Sequence, residues 1–342
     1  MALAPAPART WRRSMSMSMS FQHTGAGAPA RMRPAHSHQV AGPWPRRDVD
    51  VSRRTTDRAV WRRPPGSMRA ARVGMIRTIS PFARTTPDNH ERSLMNIGII
   101  GAGNIGGVLA RRLPTKGHQV KIANSRGPET LDAEVTSTGA HGVTAEEAAT
   151  DVDVLILSIP LSRIPDLAPI VGTLPAETVV IDTGNYYPAR DGAIEALDGG
   201  QVESEWVSEQ LGRPVLKAWN AILAQRLVDG DREAGDPERT AIPVAGDGED
   251  AKSVALGLVE DSGFDAVDAG SLAESWRQQP GSPVYCTSLT AAEVPDALAA
   301  AQRDRSAGRR DLAIAVITDR AQDPTRTVDG DFLTRLNRVL YQ

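Results

Sequence analysis

The sequence predicts an α/β fold: a doubly wound parallel sheet, a smaller carboxyl-terminal α/β lobe and a disordered amino-terminal extension. Residues 96–107 run an apolar strand straight into G-x-G-x-x-G, formed by Gly101, Gly103 and Gly106. Residues 152–159 and 178–182 have the continuous hydrophobicity of parallel strands buried on both faces. Helical periodicity and short connections separate these runs, which is the pattern of right-handed βαβ units.

The glycine segment comes first. Strand, tight turn and helix start in that order build a seat for a pyrophosphate. Gly101 supplies the turn, Gly103 lets backbone approach the phosphates, and Gly106 lets the helix pack closely so that its first N–H groups face the anion. Ile105, Val108, Leu109 and Leu113 recur at helical spacing until Pro114. The second strand is read at residues 118–123. A dinucleotide fold selects its cofactor at the end of that strand, roughly 20 residues past the glycines. An NAD site would carry Asp or Glu there, whereas this turn reads Asn124-Ser125-Arg126-Gly127-Pro128. A hydroxyl and a guanidinium suit the 2′-phosphate that a carboxylate would repel, so NADP(H) is the expected cofactor.

Further along, residues 130–138 read as a weak helix, 140–143 as a short strand, and Thr144 as the cap of a helix carrying Glu146 and Glu147. The strand at 152–159 leaves through Ser158-Ile159-Pro160, and that at 178–182 through Thr183 to Tyr187. Both exits lie on the carboxyl edge, where cofactors sit. A helix over Glu203–Leu211 and a last strand of the nucleotide domain at 214–219 follow. Residues 229–238 read as a mobile acidic loop, and 241–245 as an edge strand because Pro243 lacks a ladder N–H. Ala251, Val254, Ala255, Leu258 and Val259 form one apolar helix face, and residues 264–267 return as a short strand. Pro295 opens a helix through Ala301. Phe332, Leu333, Leu336, Val339 and Leu340 give the tail an amphipathic helix that docks on the body or on a second subunit. The expected domains are an Arg-rich extension (1–94), an NADP-binding domain (95–218) and a substrate and dimerisation lobe (219–342).

Charge divides the 342 residues at Met95. Before it, 17 arginines and no lysine face five acids, alongside a Ser-Met repeat at residues 14–20, and no apolar period that could support a core. An upstream start, with Met95 directly before the first strand, is favoured. An organelle transit peptide shares the acid-poor, Arg-rich composition. A nucleic-acid arm finds no support, since Trp11, Trp44 and Trp61 follow no module pattern. After Met95 there is no apolar run of 18 residues, so no membrane span is expected. Cys286 is the only cysteine, which excludes an internal disulfide and a cysteine-rich metal site and suits a reducing cytoplasm. His118 and His141 are the only histidines of this part and read as structural, so no metal site is expected.

Residues 95–126, together with Lys217-Ala218-Trp219-Asn220-Ala221-Ile222, resemble the NADPH-dependent reductases of the deazaflavin coenzyme F-420. These share a Rossmann superfamily with pyrroline-5-carboxylate reductases and the Steap metalloreductases. The resemblance implies that Gly101, Gly103, Asn104 and Ile105 contact the pyrophosphate, that Asn124, Ser125 and Arg126 form the 2′-phosphate turn, and that Ser158, Ile159 and Pro160 line ribose and nicotinamide. It places Asn220 beside the nicotinamide, and it implies direct hydride transfer between nicotinamide and a deazaflavin or flavin-like ring. Trp219 stands where relatives carry a smaller aromatic, beside the second pocket.

Candidate residues for the second substrate, a small-molecule redox acceptor, are Asn220, Lys217 and Tyr186, with Tyr187 and Thr183 as further hydroxyls at the same edge. Asp182 reads as a partner for a helix terminus, and residues 276–285 as a lid or a connector. Two other functions stay open: reduction of small imines or carbonyls, which needs a proton donor, and non-catalytic NADP(H) sensing with a protein partner.

Overall fold

The computed structural model describes residues 94–230 and 232–342. The extension expected to be disordered, residues 1–94, lies outside the described residues apart from Leu94.

The chain runs β1 (Asn96–Ile100), α1 (Gly106–Arg112), β2 (Gln119–Ala123), α2 (Ala133–Thr136), β3 (His141–Gly142), α3 (Ala145–Ala148) and β4 (Val154–Leu157). It continues through α4 (Ala168–Val171), β5 (Val179–Asp182), α5 (Pro188–Asp191), α6 (Glu195–Asp198), α7 (Glu203–Leu211), β6 (Leu216–Lys217) and α8 (Ala224–Asp229). The carboxyl-terminal part holds β7 (Ala241–Val244), α9 (Glu249–Asp261), β8 (Asp265–Asp268), α10 (Val294–Ala299), α11 (Arg303–Gln322) and α12 (Gly330–Tyr341). Six strands pair in the order β3-β2-β1-β4-β5-β6, all parallel.

Alternation within β4 shows why the sheet is wound on both sides. Val154 and Ile156 join the core beneath α1 and α9, while Leu155 and Leu157 join a second core with Ile164, Leu167 and Val207. β4 thus buries apolar side chains on two faces, as its unbroken hydrophobic run requires. Thr144 caps α3 through a reciprocal capping box with Glu147, as expected from its position.

The edge-strand expectation for residues 241–245 holds, since β7 belongs to a two-stranded sheet with β8 alone and only isolated bridges flank its other side. β7 pairs with β8 on one side, and on the other Ala245 exchanges both backbone hydrogen bonds with Lys217 (2.8 and 3.0 Å). Ala241 donates to Leu289 O at the opposite end (2.8 Å). Pro243 falls between these two contacts, where its missing N–H leaves no ladder bond broken. The βαβ unit β7-α9-β8 is thereby joined to the rim of the main sheet, antiparallel to β6. Beside it, α12 docks on the body of its own chain: Asn337 reaches Cys286 O (3.4 Å), Arg338 reaches Thr287 O (2.8 Å), and only Val339 of the expected stripe is strongly exposed.

The 20-residue α11 carries no sequence signal of an amphipathic helix, because Ala313 is its only buried residue. Residues 276–285 are no surface lid: Gln278 and Ser282 are fully buried, and Val284 and Tyr285 nearly so. Among the described residues no helix is long and apolar enough to cross a membrane.

Candidate functional site

The glycine turn has the geometry its sequence demands. Gly101 sits at φ +112°, and a Cβ there would lie 2.1 Å from Ser158 O, so both conformation and space exclude any side chain. A Cβ on Gly106 would lie 2.0 Å from Gly101 O, which fixes the close approach of α1 to the turn. A Cβ on Gly103 would meet no atom within 4 Å. Protein packing therefore gives no reason for glycine at Gly103. Ser158 is placed by β4 so that its hydroxyl accepts the Gly106 N–H (3.1 Å), capping α1 from across the sheet because Ile105 offers no capping side chain. Asn104 and Ile105, on the same turn, have no hydrogen bond from their backbone N–H groups among the described residues.

At the end of β2, Asn124 shapes the turn rather than projecting from it. Its Oδ1 accepts the Arg126 N–H (3.0 Å) and its Nδ2 donates to Thr130 Oγ1 (2.9 Å). Ser125 and Arg126 stand exposed on this turn, and Arg126 forms no ion pair among the described residues. The nearest carboxylate along the chain is Glu129, whose oxygens would lie about 2.5 Å from a Cβ on Gly127. Ile159 and Pro160 follow Ser158 in the chain, and Ile159 Cγ2 would lie 3.0 Å from a Cβ on Gly101.

The second group of residues gathers where β5 and β6 leave the sheet. Register opposes Asp182 to Lys217, and both side chains are fully buried. Lys217 Nζ donates to Asp182 Oδ2 (2.7 Å) and to Gly184 O (2.5 Å), while Asp182 Oδ1 accepts the Gly184 N–H (2.8 Å). Glu203, at the start of α7, brings Oε2 to 4.0 Å from Lys217 Nζ. Burial pushes its carboxyl up to about 7, against the opposing pull of Lys217. The bland expectation for Asp182, a helix terminus, is replaced by this strand-to-strand pair.

Asn220 is 2% exposed and knits three segments. Its Nδ2 donates to Asn185 Oδ1 (3.1 Å) and Gln278 O (2.8 Å), and its Oδ1 accepts Gln278 Nε2 (2.8 Å). Asn185 returns a bond to Asn220 O (2.9 Å). Gln278 Oε1 stays buried without a partner among the described residues. Asn185, Gln278 and Glu203 were not read from the sequence, because their partners lie many residues away and no local pattern announces them.

The adjacent tyrosines diverge. Tyr186 OH donates to Asp198 Oδ1 (2.8 Å), lies 3.1 Å from Gly192 O and accepts the Ile194 N–H (3.0 Å), tying α5 and α6 to the strand exit. Tyr187 OH meets Tyr285 OH at 2.6 Å in a buried patch with Cys286. Desolvation raises both phenols there and pushes the Cys286 thiol up to about 12. Thr183 is buried, and its hydroxyl makes no hydrogen bond among the described residues. Trp219 does not border a second pocket. Its backbone takes φ +57°, its ring is fully buried in the core, and Nε1 donates to Ser262 Oγ (3.1 Å).

A separate cavity of about 840 Å³ opens at the amino-terminal edge of β1, β4 and β5. Ligands of open parallel sheets bind at the other edge, where the glycine turn lies. Among the described residues no cluster of His, Cys, Asp and Glu could hold a metal ion.

Residues 96–186 match a family described as NADP oxidoreductase, coenzyme F-420-dependent. The Escherichia coli protein YjhV is 40% identical over 113 residues, 33% of this chain and 75% of its own. A hypothetical protein of Sinorhizobium meliloti is 32% identical, with 58% of this chain and 97% of that chain covered at a TM-score of 0.49. An Arthrobacter structure, provisionally named an F-420-dependent NADP-reductase, is 21% identical, covering 53% of this chain and 87% of that chain at a TM-score of 0.43.

Proposed function

Because the chain belongs to the family of coenzyme F-420-dependent NADP oxidoreductases, we propose that it moves a hydride between NADPH and a deazaflavin or flavin-like acceptor. The glycine turn would hold the pyrophosphate on the N–H groups of Asn104 and Ile105, and Ser125 and Arg126 would take the 2′-phosphate. Ser158, Ile159 and Pro160 would wall the nicotinamide end. When bound, NADPH supplies the hydride.

One observation carries the choice of acceptor: nearly every candidate proton donor at the carboxyl edge is already committed. Tyr186 is engaged by Asp198, Gly192 and Ile194, Tyr187 by Tyr285, and Lys217 by Asp182 and Gly184. Asn220 is taken up by Asn185 and Gln278. Thr183 keeps an uncommitted hydroxyl, but an unactivated alcohol is a poor acid near neutral pH, and the Glu203 carboxyl, 4.0 Å from Lys217, lines a cavity that includes no residue of the glycine turn. Imine and carbonyl reduction need such a donor; transfer between two stacked rings needs orientation and exclusion of water. In this reading Asn220 and Lys217 are positioning residues: the first fixes the strand exits around the nicotinamide end, the second holds them from beneath.

The test mixes purified protein with NADPH and, separately, with a deazaflavin, free flavin or a cyclic imine, following NADPH absorbance. Oxidation with the deazaflavin or flavin and none with the imine is expected. Oxidation with the imine alone would overturn the reading, and tight NADPH binding with no oxidation would favour a sensor.

A further inference from the structure

Away from the glycine turn, a cavity of about 90 Å³ lies between the start of α7, the start of α11 and the 3₁₀ segment Leu272–Gln278. One water needs about 10–15 Å³ by a comparable measure, so the space admits a molecule of several heavy atoms. Its walls include Tyr186, Glu203, Trp276, Gln279, Arg303 and Arg310.

The polar atoms here are unusually short of partners. Glu203 is 5% exposed, and its Oε2 has no hydrogen bond among the described residues, nor has the buried Nε2 of Gln279. Arg303 uses one N–H on Gly200 O (2.9 Å), and Arg310 uses Nε on Asp311 (2.8 Å). A guanidinium carries five N–H donors, so most remain to serve a ligand. Trp276 is held in place by Arg277 and Arg303, whose guanidinium carbons lie 4.4 and 5.8 Å from its ring centre. The residues lining this small space thus bring two cations, an aromatic ring, and an amide donor and a carboxyl oxygen that make no hydrogen bond among the described residues, Lys217 Nζ lying 4.0 Å from that oxygen.

We propose that this cavity binds a small carboxylate, with Arg303 and Arg310 as its cationic wall, the Gln279 amide as a donor, and the protonated carboxyl of Glu203 sharing a hydrogen bond with the ligand. An acid–carboxylate pair satisfies the orphaned Glu203 oxygen, whereas two ionised carboxylates at that distance repel. Above about pH 7, where Glu203 of the free protein is ionised, binding thus couples to uptake of up to one solvent proton by Glu203. Of the groups that face Glu203, burial and Asp182 favour its protonated form, while Lys217, the Tyr186 backbone and Arg310 from α11 favour the ionised one and Tyr187 packs nearby; burial is the largest of these influences. The site requires neither NADPH nor a hydride acceptor.

Sodium acetate is titrated into the full chain by calorimetry, at constant ionic strength held with chloride, in Tris and imidazole buffers from pH 6 to 8.5. Saturable binding is expected, with affinity falling nearly tenfold per pH unit above about 7, and a heat that differs between buffers by nearly one proton at pH 8.5 and by almost none at pH 6. Acetamide, which lacks the charge, should not bind. Arg303→Gln, at an exposed position, should weaken acetate at least tenfold. Glu203→Gln should keep binding and lose both the pH dependence and the buffer-dependent heat. Absence of saturation at 100 mM acetate, equal effects of acetate and chloride, or a pH dependence that survives Glu203→Gln would each overturn the proposal. Should Glu203→Gln fail to fold, the pH profile of the wild type and the Arg303→Gln arm decide it. No NADPH is present, so failure here leaves the redox reading untouched.

Discussion

Replacing Lys217 by Met removes one half of an ion pair that no water reaches. Asp182 would remain fully buried, with one oxygen on the Gly184 N–H and the other without its cation. Leaving such a charge uncompensated costs about 3–5 kcal/mol. A folded unit of this size loses roughly 2–4 °C per kcal/mol, so melting should fall by roughly 6–20 °C. Adding Asp182→Asn removes the stranded charge while keeping an acceptor for Gly184, and should recover more than half of the loss. Urea denaturation of the wild type, both single variants and the double variant gives the coupling energy directly. A Lys217→Met protein within about 1 kcal/mol of wild type, or a double variant no better than the single, would refute the reasoning. A positioning role also predicts that folded Lys217→Met binds NADPH with near wild-type affinity; lost binding at preserved stability would assign Lys217 to the ligand instead.

Gly101→Ala places a Cβ 2.1 Å from Ser158 O at φ +112° and should abolish NADPH binding with a large loss of stability, whereas Gly103→Ala meets no protein atom. The latter should melt within a few degrees of wild type yet bind NADPH much more weakly; thermal melts with and without NADPH separate the two. The folded pKa of Glu203 lies above its ordinary value of 4.5, at about 7. Its contribution to stability is therefore fullest below about pH 4.5 and is lost as pH rises through 7, a span of roughly 3 kcal/mol. Glu203→Gln should flatten that part of the stability–pH curve, and an unchanged curve would mean the carboxyl is ionised throughout. Cys286 is 4% exposed and its thiol is pushed up to about 12, so an aromatic disulfide reagent at pH 8 should label it only on unfolding. Rapid labelling of the native protein would contradict its burial.

How much of this was legible in the sequence depends on how locally each feature is specified. The glycine turn, the apolar runs of β4 and β5 and the Thr144 cap are written within a few residues, and the helix Glu203–Leu211 has the bounds its sequence indicated. Features fixed by distant partners were not legible. Asp182 and Lys217 are 35 residues apart in the chain, though two opposite charges closing neighbouring buried strands is a signal that could have suggested the pair. The bond from Asn220 to Gln278 spans 58 residues and has no local mark. Adjacent tyrosines look equivalent in sequence, yet the strand exit sends Tyr186 to Asp198 and Tyr187 to Tyr285. α11 escaped because it buries a single residue, so no apolar period betrays it.

The proposed preference for the phosphorylated cofactor assigns the 2′-phosphate to Arg126, exposed at the end of β2 on a turn that Asn124 holds. Equilibrium titration of wild type and Arg126→Ala with NADPH and with NADH, at one fixed salt concentration, tests it most directly. One charge-assisted contact contributes about 1.5–3 kcal/mol, so the variant should bind NADPH about ten- to a hundredfold more weakly while NADH is almost unaffected. Equal losses for both dinucleotides, or none for either, would contradict the account.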